Sequence, residues 1–147
     1  MKTKILSYSQ ELDDIILYSV LGDTVKKGFY IDVGANDPWE FSVTKLFYEI
    51  GWRGINVEPL LHCYKELEND RPRDINVQKG VGSRKGEMTL FVTKGAGFCS
   101  SFDEDIAKKH RGINRIYNVP ITTLSDICNH YIPPPKKYRD SLLEDRC

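Results

Sequence analysis

The sequence predicts an α/β fold built on a parallel sheet, and three observations carry that prediction. Between residues 28 and 77, short strands rich in β-branched and aromatic residues alternate with helical segments, in the order strand, helix, strand, helix, strand. The apolar period changes from two to 3.6 between neighbouring segments. The first two strands stop at residues that break strands, Gly34 and Pro59. Such alternation requires crossover connections, and crossovers between parallel strands are right-handed.

The elements follow in chain order. Residues 9–21 predict a helix: Glu11, Asp13 and Asp14 put acid in the opening turn, Ile15, Ile16, Tyr18 and Val20 supply the apolar side chains, and Gly22 suits the end. Residues 28–34 predict the first strand. Val43, Leu46, Phe47 and Ile50 fall at i, i+3, i+4 and i+7, one face of a helix that Pro38 and Glu40 would open and Gly51 would close. Tyr48 falls on its outer side, and Trp39 and Trp52 read as packing residues. Residues 54–58 predict the second strand. Leu61, Tyr64 and Leu67 continue as a helix to about Asn69, with Cys63 as a small buried side chain, and residues 75–77 give the third strand.

Beyond Gly82 the pattern alters. Residues 87–92 alternate and predict an added strand. Ser101 and Glu104 match a capping box opening a helix that reaches about His110. Residues 118–122 predict an edge strand, because Pro120 lacks the N–H that a central strand uses. Thr123 to Asp126 predict a last capped turn, and the prolines at 133–135 end regular structure. Residues 1–135 read as one partial domain, and residues 136–147 as a divergent charged tail.

Composition narrows the function. Lys and Arg total 21, matching 21 Asp and Glu, so no global field draws the chain to nucleic acid or to an anionic membrane. The apolar run at 15–21 is too short to span a bilayer, and no signal-peptide core follows the basic start. A cytoplasmic location with reduced thiols is expected, since Cys63, Cys99, Cys128 and Cys147 share no paired spacing. His62, His110 and His130 complete no ligand pattern with them, so no metal is expected.

The chemistry concentrates in Asp32, Val33, Gly34, Ala35, Asn36 and in Glu58. In an open parallel sheet, ligands bind beyond the carboxyl ends of the strands. Gly34 stands at the first strand's end, where a missing side chain allows close approach of backbone amides to a ligand. Glu58, at the end of the second strand, can accept from both hydroxyls of a ribose. A dinucleotide needs G-x-G-x-x-G, and the second and third glycines are missing here; Asp37 would also oppose a pyrophosphate. The acidic loop instead suits the amino group and sulfonium of S-adenosyl-L-methionine, with Asp32 the nearest carboxylate.

Ser9-Gln10-Glu11, the 29–36 run, residues 39–44 and residues 51–59 together resemble the FkbM family of methyltransferases. The likeness continues through residues 71–76, 86–89 and 119–124, covering about residues 8–135. The resemblance implies a Rossmann-like class I methyltransferase fold that transfers a methyl group from S-adenosyl-L-methionine to oxygen on a sugar or natural product. It implies that Asp32, Gly34, Ala35 and Asn36 form the cofactor loop and that Glu58 holds the ribose. Gln10 and Ser42 correspond to positions near the methionine end, and Val81, Gly82 and Ser83 to positions near the adenine. The implied acceptor is a small molecule or glycan. No residue qualifies as a general base, so the catalytic residue is unassigned.

Family members follow the proline-rich stretch with a buried strand of the form I-D-F-L-K-I-D-V-E-G, whereas residues 137–147 are mostly charged. A fold truncated after the third parallel strand and the added hairpin region is therefore expected, with self-association through an exposed sheet edge. The alternative expectation is an inactive remnant that keeps only part of the cofactor-binding fold.

Overall fold

The protein was analysed as a computed structural model, which describes residues 5–22, 24–94, 98–110 and 112–133. Its elements run α1 (Asp13–Leu21), β1 (Phe29–Val33), α2 (Lys45–Glu49), β2 (Arg53–Val57), α3 (Leu61–Asp70), β3 (Ile75–Val77), β4 (Gly80–Val81), β5 (Gly86–Thr93), α4 (Glu104–His110), β6 (Ile113–Thr122) and α5 (Leu124–Tyr131). Strands β1, β2 and β3 form a parallel sheet in that order, as the alternation predicts, with Ile31 opposite Ile55 and Ile55 opposite Ile75.

Side chains alternate across a strand, so this register sorts the sheet into two unlike faces. One face carries Ile31, Ile55, Val57, Ile75 and Val77 and is covered by Ile127 and Tyr131 of α5. The opposite face carries Tyr30, Asp32, Asn56 and Asn76, and it is polar although Asn56 is fully buried. Gly54 is needed on that face because the Tyr30 ring lies over it; a Cβ there would come within 2.1 Å of the ring.

A second sheet adjoins the first. The chain leaves β3, turns at Gln78 and Lys79, and enters β4, a two-residue strand too short for any periodicity to reveal. β4 pairs parallel with β6, and β6 pairs antiparallel with β5 along nearly its whole length. Leu90, Val92, Val119 and Ile121 of this sheet pack against Leu60 and Cys63 of α3. Leu90 of β5 thereby shares a cavity lining with Val33 and Val57 at the carboxyl ends of β1 and β2.

Several expectations are corrected. β6 is the middle strand of its sheet, not an edge, despite Pro120. The β4 ladder reaches only Ile121 and Thr122, so no β4 residue lies opposite Pro120 to miss its N–H. The helix expected from about Pro38 shrinks to five residues, Lys45–Glu49, because side chains hold the preceding segment as a loop. α1 begins at Asp13 rather than Ser9: the Asp14 carboxylate takes the Ser7 and Ser9 hydroxyls and the Tyr8 and Ser9 amides, folding residues 7–12 around itself. Its apolar residues Ile16, Leu17 and Val20 face outward.

At α4 the cap is Asp103, whose Oδ1 accepts from the amides of Asp105 and Ile106; Ser101 instead accepts from the Asp103 amide. The last capped turn is a longer helix, α5, with Thr123 Oγ1 accepting from the Asp126 amide at 3.1 Å. Trp52 packs on Phe47 as expected, with ring centroids 4.7 Å apart. Trp39 is exposed, and Tyr48 is buried rather than on the surface. The 136–147 tail lies outside the described residues.

Candidate functional site

The site grows from the turn after β1. Gly34 has φ +76 and Asn36 has φ +50, a left-handed path that reverses the chain within three residues. The turn folds back onto β2: the Gly34 and Ala35 amides donate to the Val57 carbonyl at 2.8 and 3.3 Å, and the Asn36 amide donates to Glu58 Oε2 at 2.9 Å. The sequence reading, in which these amides reach a ligand, is therefore corrected. What Gly34 opens is space, since a Cβ built there would have no neighbour within 4 Å.

Glu58 is buried and bridges two turns, because its Oε1 also accepts from the Leu60 amide at 2.7 Å. Burial raises its pKa above the usual carboxylate value, against the opposing pull of those two amides and of His62. Each carboxylate oxygen has two lone pairs, so one on each oxygen remains for a further donor.

Asp32 stands beside it on β1. Its Oδ2 accepts from the Thr44 hydroxyl at 2.6 Å. Burial raises its pKa too, while Thr44 and the Arg71 charge draw it back down.

Arg71, at the end of α3, is the residue that sequence reading missed. It is 1% exposed. Its guanidinium donates to Thr44 Oγ1 at 3.0 Å, to the Pro38 carbonyl at 2.6 Å and to Ser42 Oγ at 2.8 Å. One cation thus fixes the 38–44 loop and faces the half-buried Asp32 through Thr44. The same loop is turned by Asp37, which accepts from the Trp39 and Glu40 amides at 2.7 Å each, and by Phe41 at φ +60. Lys45 is buried at its end, paired with Glu49 at 2.6 Å and 3.5 Å from the Trp39 ring centre.

Two adjoining cavities result. One, of about 700 Å³, is lined by Gln10, Asp32, Gly34, Ala35, Asn36 and Ser42 together with Glu40, Phe41, Phe98 and Cys99. The other, of about 180 Å³, is lined by Gly34, Asn36 and Glu58 together with Leu60, Gly80, Val81, Phe98 and Phe102. Gly34, Asn36 and Phe98 belong to both, so the two carboxylates flank one turn from opposite sides. Of the eight residues singled out from sequence, seven line these cavities. Gly82 does not; its amide donates to the Thr122 carbonyl at 2.9 Å, and Gly80 and Val81 form the wall instead.

Phe98 was not legible as a site residue. It sits in the loop between β5 and α4, and its ring meets that of Phe41 edge-on at 5.0 Å. Cys63, whose thiol donates to Asn36 Oδ1 at 3.1 Å, steadies the turn from beneath, and burial pushes its pKa up to about 12, far from a nucleophile's range.

Among the described residues no helix is long and apolar enough to cross a membrane. The family model described as the methyltransferase FkbM domain matches residues 32–136, more than half of the chain. No curated protein and no solved structure matches it.

Proposed function

Because the chain belongs to the FkbM family of methyltransferases, we propose that it binds S-adenosyl-L-methionine across the ends of β1 and β2 and serves methyl transfer to a hydroxyl of a sugar or natural product. One observation carries the reading: two carboxylates, the half-buried Asp32 and the buried Glu58, line adjoining cavities on either side of the Gly34–Asn36 turn. The fit is chemical. Glu58 keeps a free lone pair on each oxygen for a ribose diol, and Leu60, Gly80, Val81 and Phe102 offer an apolar slot for a flat base. Asp32, Gln10 and Ser42 line the larger cavity, where the amino-acid end and the acceptor belong.

The same turn argues against a dinucleotide. Its three amides are engaged by Val57 and Glu58, so none is left for a pyrophosphate, and Asp37 adds unfavourable charge.

When bound, S-adenosyl-L-methionine supplies an electrophilic methyl group on a sulfonium centre. The chain's own contribution is placement: Arg71 fixes the 38–44 loop, Asp32 supplies negative charge beside the cation, and Phe41 and Phe98 line the larger cavity with paired rings. Holding two reactants in line lowers the barrier chiefly through orientation.

The test is transfer of a tritiated methyl group to a panel of methyl glycosides, phenols and amines. Label recovered as a methyl ether supports the reading. Label confined to nitrogen, or none transferred by a chain that binds the cofactor, would overturn the O-methylation claim.

A further inference from the structure

A third cavity lies away from the cofactor loop and is built differently. The β5–β6 register puts Leu90 opposite Tyr117 and Val92 opposite Arg115, so these side chains share one face with Val119. Half of that face is closed by Leu60 and Cys63. Along the remainder, α3 stands opposite β6 and leaves a groove of about 700 Å³.

Its chemistry is one-sided. His62 and Lys65 face it from α3, spaced three apart and therefore on one side of the helix, and Arg115 faces it from β6. Among the described residues no Asp or Glu lines it. Arg115 donates to the Tyr117 hydroxyl at 3.3 Å, and among the described residues neither Lys65 nor Arg115 forms an ion pair. Glu58, which His62 influences, has both oxygens engaged by backbone amides and lines the neighbouring cavity. At the β5 end the groove reaches Thr93, which is 1% exposed. Leu61, Val92 and Val119 give the groove an apolar lining.

We propose that this groove binds a small anionic molecule with an apolar body, its phosphate or carboxylate held between Lys65 and Arg115. The site is independent of the methyl donor, and its test requires none.

The ¹⁵N-labelled full chain is titrated with phenyl phosphate, phenylacetate and benzyl alcohol while its amides are followed by NMR. Both anions should shift Leu61, His62, Lys65, Thr93 and Arg115, and benzyl alcohol should not. The double variant Lys65→Ala/Arg115→Ala should weaken the anions at least about tenfold, as expected for losing charge-assisted contacts. The control Lys85→Ala/Lys108→Ala should bind as before. Tighter phenyl phosphate marks a phosphorylated natural ligand and tighter phenylacetate a carboxylated one; either order supports the site. Equal binding of benzyl alcohol, shifts confined to other residues, or unchanged affinity in the Lys65/Arg115 variant would overturn it.

Discussion

Glu58 and Arg71 each hold together pieces of chain that are distant in sequence, and each does so with charge removed from water. Glu58 joins the turn after β1 to the start of α3 through the Asn36 and Leu60 amides. Glu58→Ala leaves both donors unpaired in a buried place, a loss of about 2–4 kcal/mol that denaturant titration would read. Arg71→Met removes three hydrogen bonds from the 38–44 loop and leaves Asp32 without its nearby cation. A cost of about 3 kcal/mol or more is expected by the same measurement. The pH dependence follows from burial. Asp32 and Glu58 both have pKa values raised above 3.8 and 4.5, so deprotonation costs the folded chain more than the unfolded one. Their contribution to stability declines as pH rises above those values and levels off past the raised ones. Affinity for a cationic ligand rises through the same window. Melting curves against pH should show that decline in the wild type and lose it in Asp32→Asn/Glu58→Gln.

At the level of elements, the β1-α2-β2-α3-β3 succession was legible because each segment buries an apolar stripe of its own period. What escaped was decided by polar side chains acting across the chain. The helix after the glycine turn is short because Arg71, 27 residues from Thr44 and 29 from Ser42, claims the loop that would have begun it. No local pattern carries that information. β4 has two residues, and Pro120 is tolerated in a middle strand only because β4 is so short. The candidate site was legible at Asp32, Gly34 and Glu58 because their strand-end positions follow from the alternation itself. Arg71 and Phe98 were not, since one reads as a helix-end cation and the other as a loop aromatic. Two glycines separate backbone from packing effects. Gly34→Ala meets no neighbour and should cost about 1–2 kcal/mol through its positive φ alone. Gly54→Ala drives a Cβ into the Tyr30 ring at 2.1 Å and should cost more, as paired thermal unfolding would show.

On the scale of the molecule, two sheets adjoin, and the smaller cavity opens between the ends of β1 and β2 and residues of β4 and β5. The parallel sheet places both acidic residues at its strand ends, and Leu90 of β5 walls the cavity of Glu58, so the cofactor reading depends on both sheets. Among the described residues β1 pairs only with β2, while Phe29 and Val33 are half exposed. We propose that this unpaired edge drives self-association, as open edges do. Light scattering should show mass rising with concentration, and Phe29→Lys should suppress the rise. The account as a whole rests on two carboxylates holding one cationic nucleoside across the Gly34 turn. Calorimetric titration of the folded chain with S-adenosyl-L-methionine tests this most directly, comparing the wild type with Asp32→Asn/Glu58→Gln. Saturable heat from the wild type, weakened at least about tenfold in the variant, is the predicted result. No heat from a folded wild type, or equal affinity in the two proteins, would contradict it.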